Sequence, residues 1–207
     1  MSIVTYNNRS IANISAVPGA AKSLTHIKTL TASSSSTLSF VDGSNDVVLD
    51  STYPIYLFKF FDIHPSSNQN FSFNGSSDSG SNYNVTKTTT VFIAGHTESD
   101  SDATLTYQSG DDLAQSTAFQ DLTAYGEQDD DNDHCLVGTL HLFNPSSTTF
   151  VKHFISHVQG VINPSYSVET YVSGYFNTTS VIDAVQFKMV SGNIDAGTIK
   201  LYGLKDS

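Results

Sequence analysis

The densest cluster of candidate metal ligands is an acidic run of four aspartates and one asparagine that begins at Asp129. Carboxylate oxygens are the ligands that Ca²⁺ prefers, and alternating acidic positions are typical of an EF-hand loop. An EF-hand also needs Gly at its sixth position and Glu at its twelfth, which here are His134 and Leu140. The EF-hand match therefore fails. A looser Ca²⁺ site formed by Asp129, Asp131 and Asp133 stays open, but the sequence favours a solvated acidic loop.

Seven histidines are further candidates for metal binding or general-base catalysis. Four of them fall in predicted strands, namely His26, His141, His153 and His157. His153 and His157 would face the same side of one strand but lie about 13 Å apart, which is too far for one metal ion. No HxH or HExxH spacing occurs. We therefore expect these histidines to be half-buried sheet residues that use their ring nitrogens in hydrogen bonds.

Cys135 is the only cysteine, so no intramolecular disulfide can form. It follows His134 directly, and neighbours along a strand point to opposite faces, so the two residues could not form a catalytic dyad. We expect Cys135 to be a small buried residue at the start of an apolar strand. No G-x-S-x-G elbow, P-loop or G-x-G-x-x-G motif is present. Because a carboxylate pair for glycoside hydrolysis is defined by spatial and not sequential spacing, such a pair stays open, but none is selected.

The sequence therefore selects no catalytic residue, no cofactor-binding residue and no metal ligand, and we predict a non-enzymatic protein. Side chains in predicted loops offer a different chemistry, because Tyr83, Asn84 and Tyr125 could stack on a sugar ring and hydrogen-bond to its hydroxyl groups. Lectin-like sandwiches often use Trp for this contact, and the chain has no Trp. A glycan site is therefore the weaker alternative.

Composition excludes two classes of partner. The formal net charge is −11, whereas nucleic-acid binding needs clustered Lys and Arg to neutralise phosphates. No apolar run is long enough to cross a bilayer. The N-terminus lacks a basic segment followed by an apolar one, so we expect no secretory signal. We therefore expect neither nucleic acid nor a membrane as a partner.

The elements that must position these residues are strands. Alternating apolar and polar residues between turn signals predict about nine or ten short strands, and residues 144–147 predict a hairpin turn between two of them. Residues 74–84 are predicted as an exposed loop, and residues 113–125 as a place for a helical turn. The pattern predicts an all-β protein, with a jelly-roll β-sandwich as first choice and an up-and-down barrel as second.

Domain organisation follows from the same pattern. Residues 23–207 are predicted to form a single β-sandwich domain, whose last strand, residues 198–202, is built into a sheet. Residues 1–22 are polar and contain a Pro-Gly pair, so we predict an extended N-terminal arm. The arm could cross to a neighbouring subunit, and a frayed terminus is an equal alternative.

Several segments of the chain resemble a group of small structural proteins of tailed bacteriophages, especially marine phages. They are Asn8–Ile11, Leu24–Ser33, Leu38–Gly43, Tyr53–Phe60, Ile63–Pro65, Asn144–Phe154, Gly174–Thr179 and Gln186–Leu204. Together they are spread over most of the chain. Residues 97–134 carry no such pattern, and we expect them to be a variable exposed region.

The resemblance implies a virion component, first of all a decoration protein that stabilises the capsid. The expected partners are copies of the chain itself and other virion proteins, either major capsid or tail proteins. The alternative is a tail or head-fibre component that binds a host surface glycan. A polysaccharide depolymerase is disfavoured, because such enzymes are usually longer chains built from repeats and this sequence has no internal repeat.

Overall fold

The computed structural model describes residues 24–205, which form twelve β-strands and no helix. These residues therefore contain no helix that could cross a membrane. The strands are β1 (Leu24–Thr31), β2 (Leu38–Val41), β3 (Ile55–Pro65), β4 (Phe71–Ser76), β5 (Lys87–Thr97), β6 (Ala103–Tyr107), β7 (Gln120–Asp121), β8 (Leu136–Phe143), β9 (Lys152–Ile162), β10 (Tyr166–Phe176), β11 (Ala184–Met189) and β12 (Ile194–Leu204).

The strands form two antiparallel sheets, and the predicted all-β sandwich is confirmed. The larger sheet has eight strands in the order β1-β12-β3-β8-β9-β10-β5-β6, and the smaller has four in the order β2-β11-β4-β7. The alternative of an up-and-down barrel is wrong, because the described strands divide between two separate sheets. The predicted arm, residues 1–22, lies outside the described residues, as do residues 23, 206 and 207 of the predicted domain.

The chain alternates between the two sheets over most of its length. Strands β1 to β4 alternate, β7 and β8 lie in different sheets, and so do β11 and β12. Two antiparallel pairs interrupt this alternation, β5 with β6 and β9 with β10. Both pairs continue the larger sheet beyond β8, and we call these four strands the extension. The two closing strands, adjacent in sequence, thus belong to opposite sheets, and the last is built into a sheet as predicted.

The core between the sheets is built from phenylalanine rings. Phe187 on β11 lies with its ring centroid 5.2 Å from that of Phe58 and 5.3 Å from that of Phe60, both on β3 of the other sheet. Within its own sheet it contacts Phe71 at 5.8 Å and Phe73 at 6.3 Å. All five side chains are buried. Phe58 and Phe60 share the inward face of β3 because inward-facing positions alternate along a strand. Phe187 contacts both rings and therefore joins the two sheets.

Three predicted boundaries differ from the structure. Strand β3 continues through His64-Pro65, where the sequence predicted its end, past a bulge at which Asp62 has a φ of 50°. Residues 74–76 belong to β4 and are buried. The buried Asn74 amide is satisfied because it donates to the carbonyl oxygen of Tyr83 at 2.8 Å. Residues 113–125 contain no helical turn and instead include the two-residue strand β7.

A buried lysine fixes the extension to the segment before β7. Lys87, at the start of β5, is fully buried, and its ammonium group donates to the carbonyl oxygens of Val85 and Ala118. Burial lowers the pKa of Lys87 from its ordinary value of 10.5 to about 7. Because no carboxylate pairs with Lys87 among the described residues, the backbone carbonyls are what compensate for its burial.

The aromatic core yields a first prediction. Phe187→Ala should lower the free energy of unfolding by about 3–5 kcal/mol, because it removes a fully buried ring and leaves a cavity between the sheets. Urea unfolding of the purified chain measures this. The matched control is Phe150→Ala, since Phe150 is 72% exposed, and it should change stability by less than about 0.5 kcal/mol. Equal losses in both variants would contradict the assigned core.

Lys87 yields a second prediction, on pH dependence. A folded-state pKa near 7 means that the folded chain binds fewer protons than the unfolded chain between about pH 7 and pH 10.5, so the burial penalty is full below pH 7 and falls as the pH rises. Replacing Lys87 with Met should therefore remove about 3 kcal/mol of pH-dependent gain between pH 7 and pH 9.5. Urea unfolding across that range measures it. Lys205→Met, at an exposed position, should keep the wild-type profile, and an unchanged profile in Lys87→Met would contradict the prediction.

Candidate functional site

A row of aromatic side chains crosses the solvent-facing side of the extension. Cross-strand register places Tyr107 beside Phe92, Phe92 beside Tyr171, and Tyr171 beside His157. The rings of Phe92 and Tyr171 are 4.7 Å apart and 6° from parallel, and those of Tyr171 and His157 are 4.3 Å apart and 9° from parallel. These four residues form the aromatic row. It is on the solvent side because alternate residues of each strand point outward.

A carboxylate holds the middle of the aromatic row in place. The Tyr171 hydroxyl donates to Glu169 Oε2 at 3.0 Å, and His157 Nε2 lies 3.6 Å from the same oxygen. The hydrogen bond to Glu169 raises the pKa of Tyr171, so this phenol stays protonated well above neutral pH. The rings are therefore fixed by both stacking and hydrogen bonding before any partner binds.

More apolar side chains surround the aromatic row on the same face. Leu105 on β6 is 75% exposed, and Ile155 on β9 and Val137 on β8 are also exposed. Each lies two residues along its strand from a member of the row or from a cross-strand partner of one. Because residues two apart on a strand share a face, all of them belong to one surface. We call this surface the outward face.

A groove of about 640 Å³ lies beside the aromatic row on the outward face. Its walls include the rings of Phe143, His153 and Tyr175, with hydroxyl groups of Thr90 and Ser173 nearby. Its floor includes Gly174, which pairs with the buried Phe154 on β9 and Thr89 on β5. Aromatic walls beside hydroxyl groups are a suitable environment for a sugar ring.

The residues predicted to bind sugar lie elsewhere and are not brought together. Tyr83 is half-buried, and Asn84 beside it is exposed. The ring of Tyr125 packs against that of Tyr166 at 5.5 Å. Sequence reasoning missed the groove, although the alternation of aromatic and small residues on β9 and β10 was the available signal. The two loops and the groove are thus separate candidates for glycan binding.

The histidines of the predicted strands are spread over the larger sheet. His26, His153 and His157 are exposed, and only His141 is half-buried as expected. Burial, together with the nearby charge of Lys59, lowers the pKa of His141. His153 and His157 share a face, as the strand period predicted. The structure brings no two of these four histidines into a common metal-ligating cluster among the described residues.

The acidic loop brings together a different set from the one that the sequence suggested. Ligand atoms of Asp129, Asp131 and His134 all lie within 4.8 Å of one another. Asp133, the third predicted member, is 91% exposed and only approaches the far side of the His134 ring, at 3.9 Å. Asp129 is 4% exposed, so the loop is not fully solvated as predicted. His134 takes the place of Asp133 because the loop turns back after Asp131, where the backbone N–H of His134 donates to the carbonyl oxygen of Asp131.

Cys135 is half-buried and not the fully buried residue that was predicted. Strand β8 begins one residue later, so the alternation argument does not apply, and His134 and Cys135 line the same shallow depression. The Cys135 thiol lies 3.9 Å from Asp62 Oδ1. Burial raises the pKa of this thiol and the Asp62 carboxylate raises it further, so it stays protonated. A protonated thiol is a poor nucleophile.

The described residues thus offer an apolar outward face, a groove and a small Asp/His cluster. Burial lowers the pKa values of Lys87 and Lys152, and both side chains are enclosed in the fold and cannot reach a substrate. The surface features are what a partner could contact. A comparison of the chain with protein-family models, with curated proteins and with solved structures finds no match.

Proposed function

We propose that the chain is a non-enzymatic structural protein of a bacteriophage virion, a decoration protein that stabilises the capsid by binding to it. The observation that carries the proposal is the outward face, on which exposed apolar side chains surround a fixed aromatic row. Apolar surfaces of this kind mark protein interaction sites. Many copies bound to a regular lattice would add stability through avidity, without chemistry at any one site.

The strand order supports the proposal. Without the extension, the larger sheet has the order β1-β12-β3-β8 and the smaller β2-β11-β4-β7. Eight strands that change sheet at every connection except the one from β4 to β7, with the first strand next to the last, are what a jelly roll of two Greek keys would give. We infer a jelly roll with two inserted strand pairs. This architecture is common in viral capsid proteins and in lectins.

The resemblance to phage structural proteins supports the same setting. Its segments coincide with β1, β2, most of β3, the turn between β8 and β9 with the start of β9, and the two closing strands, which are parts of the sandwich and not of one site. The expected partners are therefore copies of the chain and the major capsid or tail proteins, within the virion. The net charge of −11 argues against packaged nucleic acid as the partner.

The outward face yields a third prediction. The double variant Phe92→Ser/Leu105→Ser should bind virus particles that lack the chain roughly tenfold more weakly than wild type, because two apolar contacts of the outward face are lost. Cosedimentation of the purified chain with such particles measures this. Both side chains are exposed, so the fold should be preserved.

Phe150→Ser is the matched control, since Phe150 is about as exposed as Leu105 (72% against 75%) but lies in the β8–β9 loop. It should bind like wild type. Equal binding of the double variant would contradict the assigned face. Mass spectrometry of purified virions tests the wider proposal, and absence of the chain from the particle would refute it.

The groove favours a second function, attachment to a host glycan as part of a tail or head fibre. On a glycan array the wild-type chain should then retain a sugar, and Tyr175→Ala should lose it because one aromatic wall is removed. Tyr83→Ala is the control for the loop that was predicted to bind sugar. Loss of binding in the control alone would move the site to residues 74–84, and no retained sugar would exclude this function.

A further inference from the structure

We propose that Asp129, Asp131 and His134 form a binding site for a divalent transition metal ion of borderline character, such as Zn²⁺. The three residues lie in the loop between β7 and β8 and are not part of the outward face. Each offers one ligand atom, and all three atoms lie within 4.8 Å of one another. The site is independent of the outward face and of the proposed function.

The closest pair of atoms has the spacing of two ligands on one ion. His134 Nδ1 lies 3.3 Å from Asp129 Oδ2. Two ligands that each lie about 2.1 Å from a tetrahedral Zn²⁺ ion are separated by about 3.4 Å. The two side chains therefore need almost no movement to bind the same ion, and a carboxylate oxygen of Asp131 lies within 4.8 Å of both ligand atoms.

An unsatisfied buried atom points into the cluster. His134 Nδ1 is inaccessible to solvent and has no hydrogen-bond partner among residues 24–205. Its near approach to Asp129 does not have hydrogen-bond geometry, which is uncommon for a buried nitrogen beside a carboxylate. An imidazole nitrogen that coordinates a metal through its lone pair would have this arrangement and would be satisfied by the ion.

The charges of the cluster also need a cation. Asp129 is 4% exposed, and the ion pairs formed within residues 24–205 all use His as the cationic partner, so neither Lys nor Arg neutralises it. A buried carboxylate is costly unless it is paired or bound to a metal. A second carboxylate, that of Asp131, lies in the same cluster, and a divalent ion would compensate for both.

The histidine decides the kind of metal. Ca²⁺ is bound by oxygen ligands, whereas a set of one imidazole and two carboxylates suits Zn²⁺ and neighbouring transition metals. The other nitrogen of the ring, Nε2, faces the Asp133 carboxylate at 3.9 Å. Ligating histidines commonly have a carboxylate behind the ring, which orients it and increases its basicity. Asp133 thus orients the ring of His134 and is not itself a ligand.

The loop is held in shape by contacts that do not use the ligand atoms. The backbone N–H of Asp129 donates to Val161 of β9, and that of Asp130 donates to the Asn68 side chain. The backbone oxygen of Asp131 accepts hydrogen bonds from the His134 N–H at 2.8 Å and from His64 Nε2 at 3.2 Å. The backbone is therefore fixed while the Asp131 carboxylate and His134 Nδ1 stay available.

Isothermal titration calorimetry of the full chain with Zn²⁺ alone tests the site. Wild type should bind one ion at this site, and Asp131→Asn and His134→Gln should each weaken binding at least roughly tenfold. Asp131 is exposed, so Asp131→Asn should fold normally even if a change at the buried Asp129 did not. Circular dichroism before each titration checks the fold.

Two control variants keep the result specific. His157→Gln removes the ring that lies beside Glu169 on the outward face, and Asp130→Asn removes an exposed carboxylate of the same loop that has no part in the cluster. Both should bind Zn²⁺ within about threefold of wild type. No heat with Zn²⁺, or unchanged binding in His134→Gln or Asp131→Asn, would overturn the proposal. If the chain instead binds Ca²⁺ more tightly than Zn²⁺ and Asp133→Asn loses Ca²⁺ binding, the site is a calcium site formed by Asp129, Asp131 and Asp133, and the zinc proposal is wrong.

Discussion

The contact of Phe187 with the rings of the opposite sheet is the constraint on which the rest of the structure depends. With no disulfide possible and no helix to cover a sheet face, the described part of the chain can bury its apolar surface only by packing one sheet on the other. Phe187 contacts Phe58 and Phe60 across that interface. Because neighbouring rings meet mostly edge to face, their positions fix the relative placement of the strands and not only their burial.

The extension is joined to the rest of the sandwich by polar contacts as well as by rings. Thr89 Oγ1 donates to Gln120 Oε1 at 2.6 Å, the Gln120 amide donates to the Asp111 carbonyl at 2.9 Å, and Lys87 donates to two further carbonyls. Phe73 of β4 meanwhile packs on Phe154 of β9 at 5.0 Å. The contact between Phe73 and Phe154 stabilises the joint. The buried hydrogen bonds form in only one conformation of the loop before β7 and therefore fix that conformation.

The all-β class, most of the long strands and the β8–β9 hairpin were predictable because the period of two is a local signal. Strand β7 was not, since two residues carry no period, and neither was the burial of Asn74, which depends on carbonyl groups distant in sequence. The aromatic row brings together residues 92, 157 and 171, whose register is set by sheet pairing. His134 was passed over because an EF-hand template fixes ligand positions that this loop does not share.

The outward face is better suited to face-on docking than to the addition of a strand at the edge β6. Acidic residues flank this edge, with Glu98 and Asp100 before it and Asp112 after it, and charges near an edge oppose pairing with another strand. The rings of Phe92 and Tyr171 are already stacked, so a partner that covers them orders few side chains. In the proposed virion role, edge charges and a fixed face would therefore direct association to the flat side of the extension, where a partner can be contacted without changing the sheet.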